Sequence, residues 1–141
     1  MDDAQKREIM ELTEEHITSW LERTYPSAID PSDVYAHDRL KSLIASRFGV
    51  TVKEINSRTR RGEVVNARHV YHTLCKYLLR MSLFKTGLTT GRDHATALNS
   101  IRKVHGYYQT DTSFREFIDR FLNDMGWDYL KDKLMEKNVT R

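Results

Sequence analysis

Apolar residues in this chain recur at steps of three and four, the period of a helix packed on one side. Nowhere do they alternate with polar residues over a strand's length. Ala67, Tyr71, Leu74, Leu78 and Met81 make one such stripe, and Ala97, Ile101, Val104 and Tyr108 make another. With only two prolines and six glycines to interrupt it, the pattern predicts an all-α fold. The 141 residues amount to about one domain. Hydrophobic residues make up 39% of the chain and charged residues 30%, a balance that excludes a disordered chain. No stretch approaches the roughly 18 uncharged apolar residues of a spanning helix, and the acidic, polar start lacks the form of a secretory signal. A cytoplasmic protein without a membrane partner is expected. The single cysteine, Cys75, excludes an internal disulfide and a cysteine-built zinc site.

The elements follow from stripes and stop signals. Ile9, Ile17, Trp20 and Leu21 share a side of a helix over roughly 3 to 23, whose outer face is acidic. Asp30 and Pro31 read as the cap and first turn of a helix running to Phe48, with Gly49 as its stop. Thr51 and Glu54 form a capping box for a short helix. Ser57-Arg58-Thr59-Arg60-Arg61-Gly62 has no apolar residue and reads as an exposed basic loop. A helix over about 64 to 81 follows, packed through its stripe and offering His69, His72, Lys76 and Arg80 on its other face. Gly87 and Gly91 confine residues 82–91 to a short helix and a tight turn. In the next helix the reverse of the buried stripe carries Arg92, Thr96, Asn99 and Lys103, a polar row suited to a DNA major groove. A last helix is expected over roughly 113 to 136, opened by Ser113 and Glu116 and packed through Phe114, Phe117, Phe121, Leu122, Trp127 and Leu130.

Charge is distributed unevenly. Residues 1–34 hold three Lys/Arg against nine Asp/Glu, whereas residues 57–103 hold ten against two. A basic middle between acidic or neutral flanks is the footprint of a surface that meets a polyanion. His69, His72 and Cys75 recur every three residues, but no fourth ligand accompanies them, so they read as a helix face turned toward phosphate rather than a metal site. No metal or cofactor is expected. No acid–base pair, activated nucleophile or metal set suggests an enzyme.

The segment from about Leu40 to Val104 resembles the C-terminal DNA-binding domain of the bacterial replication initiator DnaA. Leu43-Ile44-Ala45 with Phe48-Gly49-Val50 is similar to its first helix and turn, and residues 57–68 to its basic loop running into a helix. Gly91-Arg92-Asp93-His94-Ala95-Thr96 is similar to the family signature G-R-D-H-T-T. The resemblance implies a helix-turn-helix in a Trp-repressor-like bundle, here with extra N- and C-terminal helices. It implies double-stranded DNA as partner, the signature helix in the major groove and the basic loop in the adjacent minor groove. By matching position Arg60 would enter the minor groove, flanked by Arg58 and Arg61, while Arg68 and Lys76 would hold phosphates. Thr90, Arg92, Asp93, His94, Ala95 and Thr96 would lie at or beside base edges, followed by Asn99 and Lys103. Asp93 would alternatively cap its helix, and His94 would either reach past the core or belong to it.

Three departures qualify the match. Ala95 replaces a threonine, Thr89-Thr90-Gly91 stands where the family usually has F-G-G, and no G-x-x-x-x-G-K-[ST] loop for an ATPase is present. The expected organisation is an acidic helix and linker over 1–30, a DNA-binding domain over 31–110 and a packed C-terminal helix over 111–141. The expected function is non-enzymatic, sequence-preferring duplex binding in replication initiation or its regulation, beside the nucleoid of a bacterium or in a phage or mobile element. The alternative is an adaptor or transcriptional regulator with degraded DNA reading, whose acidic helix binds a protein partner or a second copy.

Overall fold

A computed structural model describes residues 29–139, and all regular structure among them is helical. The helix expected over 3–23 lies outside the described residues. α1 spans Ala36–Phe48, and Gly49 ends it in the left-handed region at φ 69°. Val50 N–H then donates back to Ala45 O at 2.9 Å, which closes the last turn. α2, Val52–Asn56, opens with the expected capping box between Thr51 and Glu54. α3 spans Gly62–Tyr77, α4 Leu83–Leu88 and α5 His94–Thr110. α6 spans Thr112–Met125; a 3₁₀ turn at Asp128–Leu130 leads into α7, Lys131–Leu134.

α3 and α5 form the centre, with α1 against α3, α4 against α5, and α6 and α7 closing the far side. The period-derived stripes supply the core: Ala67, Tyr71 and Leu74 from α3, and Ala97, Ile101, Val104 and Tyr108 from α5 are all buried. Leu40 and Ile44 from α1 and Ile118, Phe121 and Leu122 from α6 complete it. Each such aliphatic or aromatic side chain contributes roughly 1.5–3 kcal/mol on full burial.

Four expected boundaries move. The helix expected over about 64–81 ends at Tyr77, and Arg80, at φ 55°, lies beyond it. The first helix begins at Ala36 rather than Pro31 because Asp30 closes its own turn, accepting from Ser32 N at 2.9 Å and Ser32 Oγ at 2.8 Å. α6 is capped by Asp111, not Ser113: the Asp111 carboxylate accepts from Phe114 N at 3.1 Å, whereas Ser113 already lies within the helix. The long terminal helix breaks at Gly126, at φ 73°, and Trp127 N–H returns to Leu122 O at 2.8 Å. That turn folds Trp127, Leu130 and Leu134 back into the core; Trp127 packs on Phe121 with ring centroids 5.9 Å apart.

Candidate nucleic-acid interface

α4, the turn after it and α5 form a helix-turn-helix whose tightness depends on two glycines. A β-carbon on Gly87 would meet the backbone oxygens of Arg92 and Asp93 at 2.6 Å. The backbones can approach this closely only without a side chain, and Arg92 N–H donates to Gly87 O at 2.8 Å across the gap. Gly91 then takes φ 70° to redirect the chain into α5. Asp93 caps the new helix through a bond from Thr96 N at 2.8 Å, and that bond holds its carboxyl below the usual range.

Along α5 the polar row faces solvent as its period demands. Asp93, His94, Ala95, Thr96, Asn99 and Lys103 are all exposed. Of the two alternatives for His94, the structure takes the one outside the core. The basic loop sits beside this row because two arginines tie it there. Arg68 donates from Nε to Ile55 O at 2.8 Å and from Nη2 to Ser57 O at 3.0 Å; Arg92 donates to the same Ser57 oxygen at 2.7 Å and to Thr90 O at 2.7 Å. The loop and the start of α5 are thereby joined at one carbonyl. Arg58 and Arg60 project from the joined surface and have no carboxylate partner among the described residues, whereas Arg61 is paired with Glu54 and with Glu63.

The cations stand close enough to feel one another. Burial, with a lesser push from Arg92, lowers Arg68 to about 10; burial and then Arg58 lower Arg92. Such unbalanced positive charge around the joint is what a phosphate backbone neutralises.

The structure corrects four sequence expectations here. Arg68 is buried with its guanidinium turned onto loop carbonyls, so it braces the loop instead of meeting phosphate. Thr90 is buried as well, its hydroxyl 2.7 Å from His72 Nε2. The His69–His72–Lys76–Arg80 face is not uniformly open. His72 is fully buried, His69 is half-buried, and both ring Nδ1 atoms lie 2.9 Å from Ser100 Oγ. Burial, reinforced chiefly by Lys103 for His69 and by Arg92 for His72, lowers them to about 4 and about 3, so both rings are neutral near pH 7. Finally, Arg92 is half-buried and two of its N–H groups are engaged within the protein. Lys76 remains half-exposed on α3. Cys75 is buried, its thiol pushed up to about 12 by burial, and no metal-holding group of three or more His, Cys, Asp or Glu occurs among the described residues.

Sequence reasoning missed the supports behind this face. Lys41, itself buried, donates to Thr89 O at 2.6 Å and lies 5.0 Å above the Tyr71 ring. Tyr71 OH donates to Thr89 Oγ1 at 2.7 Å. The helical period sets Lys41 three residues before Ile44 and Ser100 three after Ala97, on the packed sides, but residue type argues against it, since both types are ordinarily at the surface.

Comparison with known proteins agrees with this geometry. Residues 37–104 match the family described as bacterial dnaA protein helix-turn-helix. The chain is 28% identical over 100 residues to the chromosomal replication initiator protein DnaA of Mycoplasma capricolum, covering 70% of this chain and 20% of that protein. It is 31% identical over 83 residues to that of Flavobacterium psychrophilum, covering 58% and 17%. For Rhodopseudomonas palustris the figures are 28% over 111 residues, covering 78% and 22%. The chain therefore spans about a fifth of the length of these relatives. The helix-turn-helix formed by residues 37–104 is that of the bacterial DnaA family.

Proposed function

We propose that this chain binds double-stranded DNA with sequence preference and acts in replication initiation or its regulation. The observation that carries the reading is the shared Ser57 carbonyl, which sets the exposed arginine loop beside the exposed polar row of α5. In this reading α5 enters the major groove, and Asp93, His94, Ala95, Thr96 and Asn99 lie at base edges. Arg60, with Arg58 beside it, reaches into the adjacent minor groove, where a guanidinium suits the negative potential. Lys76 and Lys103 meet phosphates. Arg68, Thr90 and Arg92 act from behind the surface, positioning the loop and the helix start, and Arg61 is restrained by its two carboxylates. Ala95 touches a thymine methyl at most, so the site read differs from that of a threonine-bearing relative. The relatives are named as chromosomal replication initiators, which favours a role in initiation through the DNA binding of this helix-turn-helix.

The test is a fluorescence-anisotropy titration of a labelled duplex carrying the DnaA box against a scrambled duplex, over a salt series. Tighter binding to the box with a steep salt response supports the reading; no binding to either duplex overturns it. Arg60→Ala should weaken binding by roughly 1–3 kcal/mol.

A further inference from the structure

The turn that leads into α5 carries threonines at 89 and 90, where the resemblance to the family breaks, and the structure uses both. Thr90 Oγ1 lies 2.7 Å from His72 Nε2, and on the opposite side of the same ring Nδ1 lies 2.9 Å from Ser100 Oγ. Thr90 precedes α5, and Ser100 sits nearly two turns into it. One imidazole on α3 therefore ties the turn before α5 to the body of that helix, and holding both limits the angle at which the helix leaves the turn. His69 Nδ1 adds a second hold on Ser100 at 2.9 Å. Thr90, His72 and Ser100 are all buried, so no water substitutes for a lost partner.

The hydrogens can be placed without conflict. In one arrangement Thr90 O–H donates to His72 Nε2, His72 Nδ1–H to Ser100 Oγ and Ser100 O–H to His69 Nδ1; in the other His72 Nε2–H donates to Thr90 Oγ1, whose hydroxyl turns to Gly87 O at 3.3 Å, while Ser100 O–H donates to His72 Nδ1 and Ser100 Oγ accepts from His69 Nδ1–H. Every step uses a neutral ring and leaves no buried donor idle. A hydrogen bond is directional where apolar contact is not, so this set specifies an angle as well as a distance.

We propose that Thr90, His72 and Ser100 are positioning residues that set the angle of α5 and thereby decide which base sequence it reads, although none of them touches DNA. The specificity clause rests on the duplex-binding reading above. Base contacts tolerate little misplacement because bidentate pairing needs both bonds in line, whereas phosphate contacts by flexible side chains adapt. Loosening the grip therefore lowers discrimination and leaves non-specific affinity in place.

The experiment uses the full chain in three variants: Thr90→Val, which keeps the shape and removes the hydroxyl, Thr90→Ser, which restores it, and Ser100→Ala at the other end of the grip. Amide hydrogen exchange of the free protein should be about tenfold faster over residues 91–96 in Thr90→Val and Ser100→Ala, with α1 and α6 unchanged and Thr90→Ser close to wild type. In the duplex titration the ratio of box to scrambled affinity should fall about tenfold, with scrambled affinity and salt slope unchanged. Unchanged exchange at 91–96, uniform acceleration throughout the chain, or a parallel loss of both affinities overturns the proposal. A wild type that does not discriminate between duplexes overturns the DNA reading and the specificity clause together, while the exchange result still decides whether the grip exists.

Discussion

Gly87 and Gly106 make opposite predictions from the same substitution. At Gly87 an added methyl meets backbone oxygens at 2.6 Å, which cannot swing away as a side chain would. Gly87→Ala should destabilise by about 1–3 kcal/mol, the usual range for forced overpacking. Gly106 lies in α5 with nothing within 4 Å, and Gly106→Ala should stabilise by about 0.5–1 kcal/mol through reduced freedom of the unfolded chain. Urea denaturation of the two variants checks both signs. His72 carries a pH prediction. Its folded value is lowered to about 3, so between that value and about 6.5 the unfolded chain binds the proton that the folded one refuses. Stability is full above about pH 6.5 and falls with acid, by roughly 2 kcal/mol at pH 5 from this ring alone. Denaturation at pH 7 and pH 5 measures the fall, and a flat profile in wild type refutes it. The need for glycine at 87 was visible in the sequence only as a turn. That two carbonyls from the start of the next helix crowd it was not, because the contact joins residues across the turn.

At the scale of elements, capping chemistry was the most legible signal where one residue had one option. Thr51 with Glu54 and Gly49 did what their types predict. Where two residues competed, local geometry decided: Asp111 displaced Ser113 as the cap of α6, and Asp30 closed a turn ahead of α1. Asp93 combines two roles that a pair of variants separates. Asp93→Ala should cost about 1 kcal/mol through the lost cap. Asp93→Asn should retain that stability, because asparagine caps as well as aspartate, and should still alter box affinity if the carboxylate reads a base. Urea midpoints and duplex titrations on both variants separate the roles; equal stability loss in both refutes the capping assignment. The final helix was overextended in the sequence reading because a phenylalanine stripe followed by Trp127 and Leu130 fits one helix as well as a helix, a left-handed glycine and a return.

At the scale of the molecule, the uneven charge predicts a strong salt response. Each phosphate neutralised on duplex DNA adds about 0.9 to the slope of log affinity against log salt. Lys103→Ala should lower that slope by about one contact without changing the preference for the box, whereas Arg60→Ala should also lower the preference; a salt series on each variant distinguishes them. The sequence by itself determined the all-α class, the two central stripes, the basic loop and the polar row, because each is a local or periodic pattern written within one element. Only the tertiary structure decided which polar side chains face outward. Arg68, His72, Thr90 and Ser100 are polar by type and interior by position, and the partners that hold them from other parts of the fold lie between nine and 31 residues away. Burial of a polar group depends on whether another element brings it a hydrogen-bond partner, and that is settled only when the helices pack.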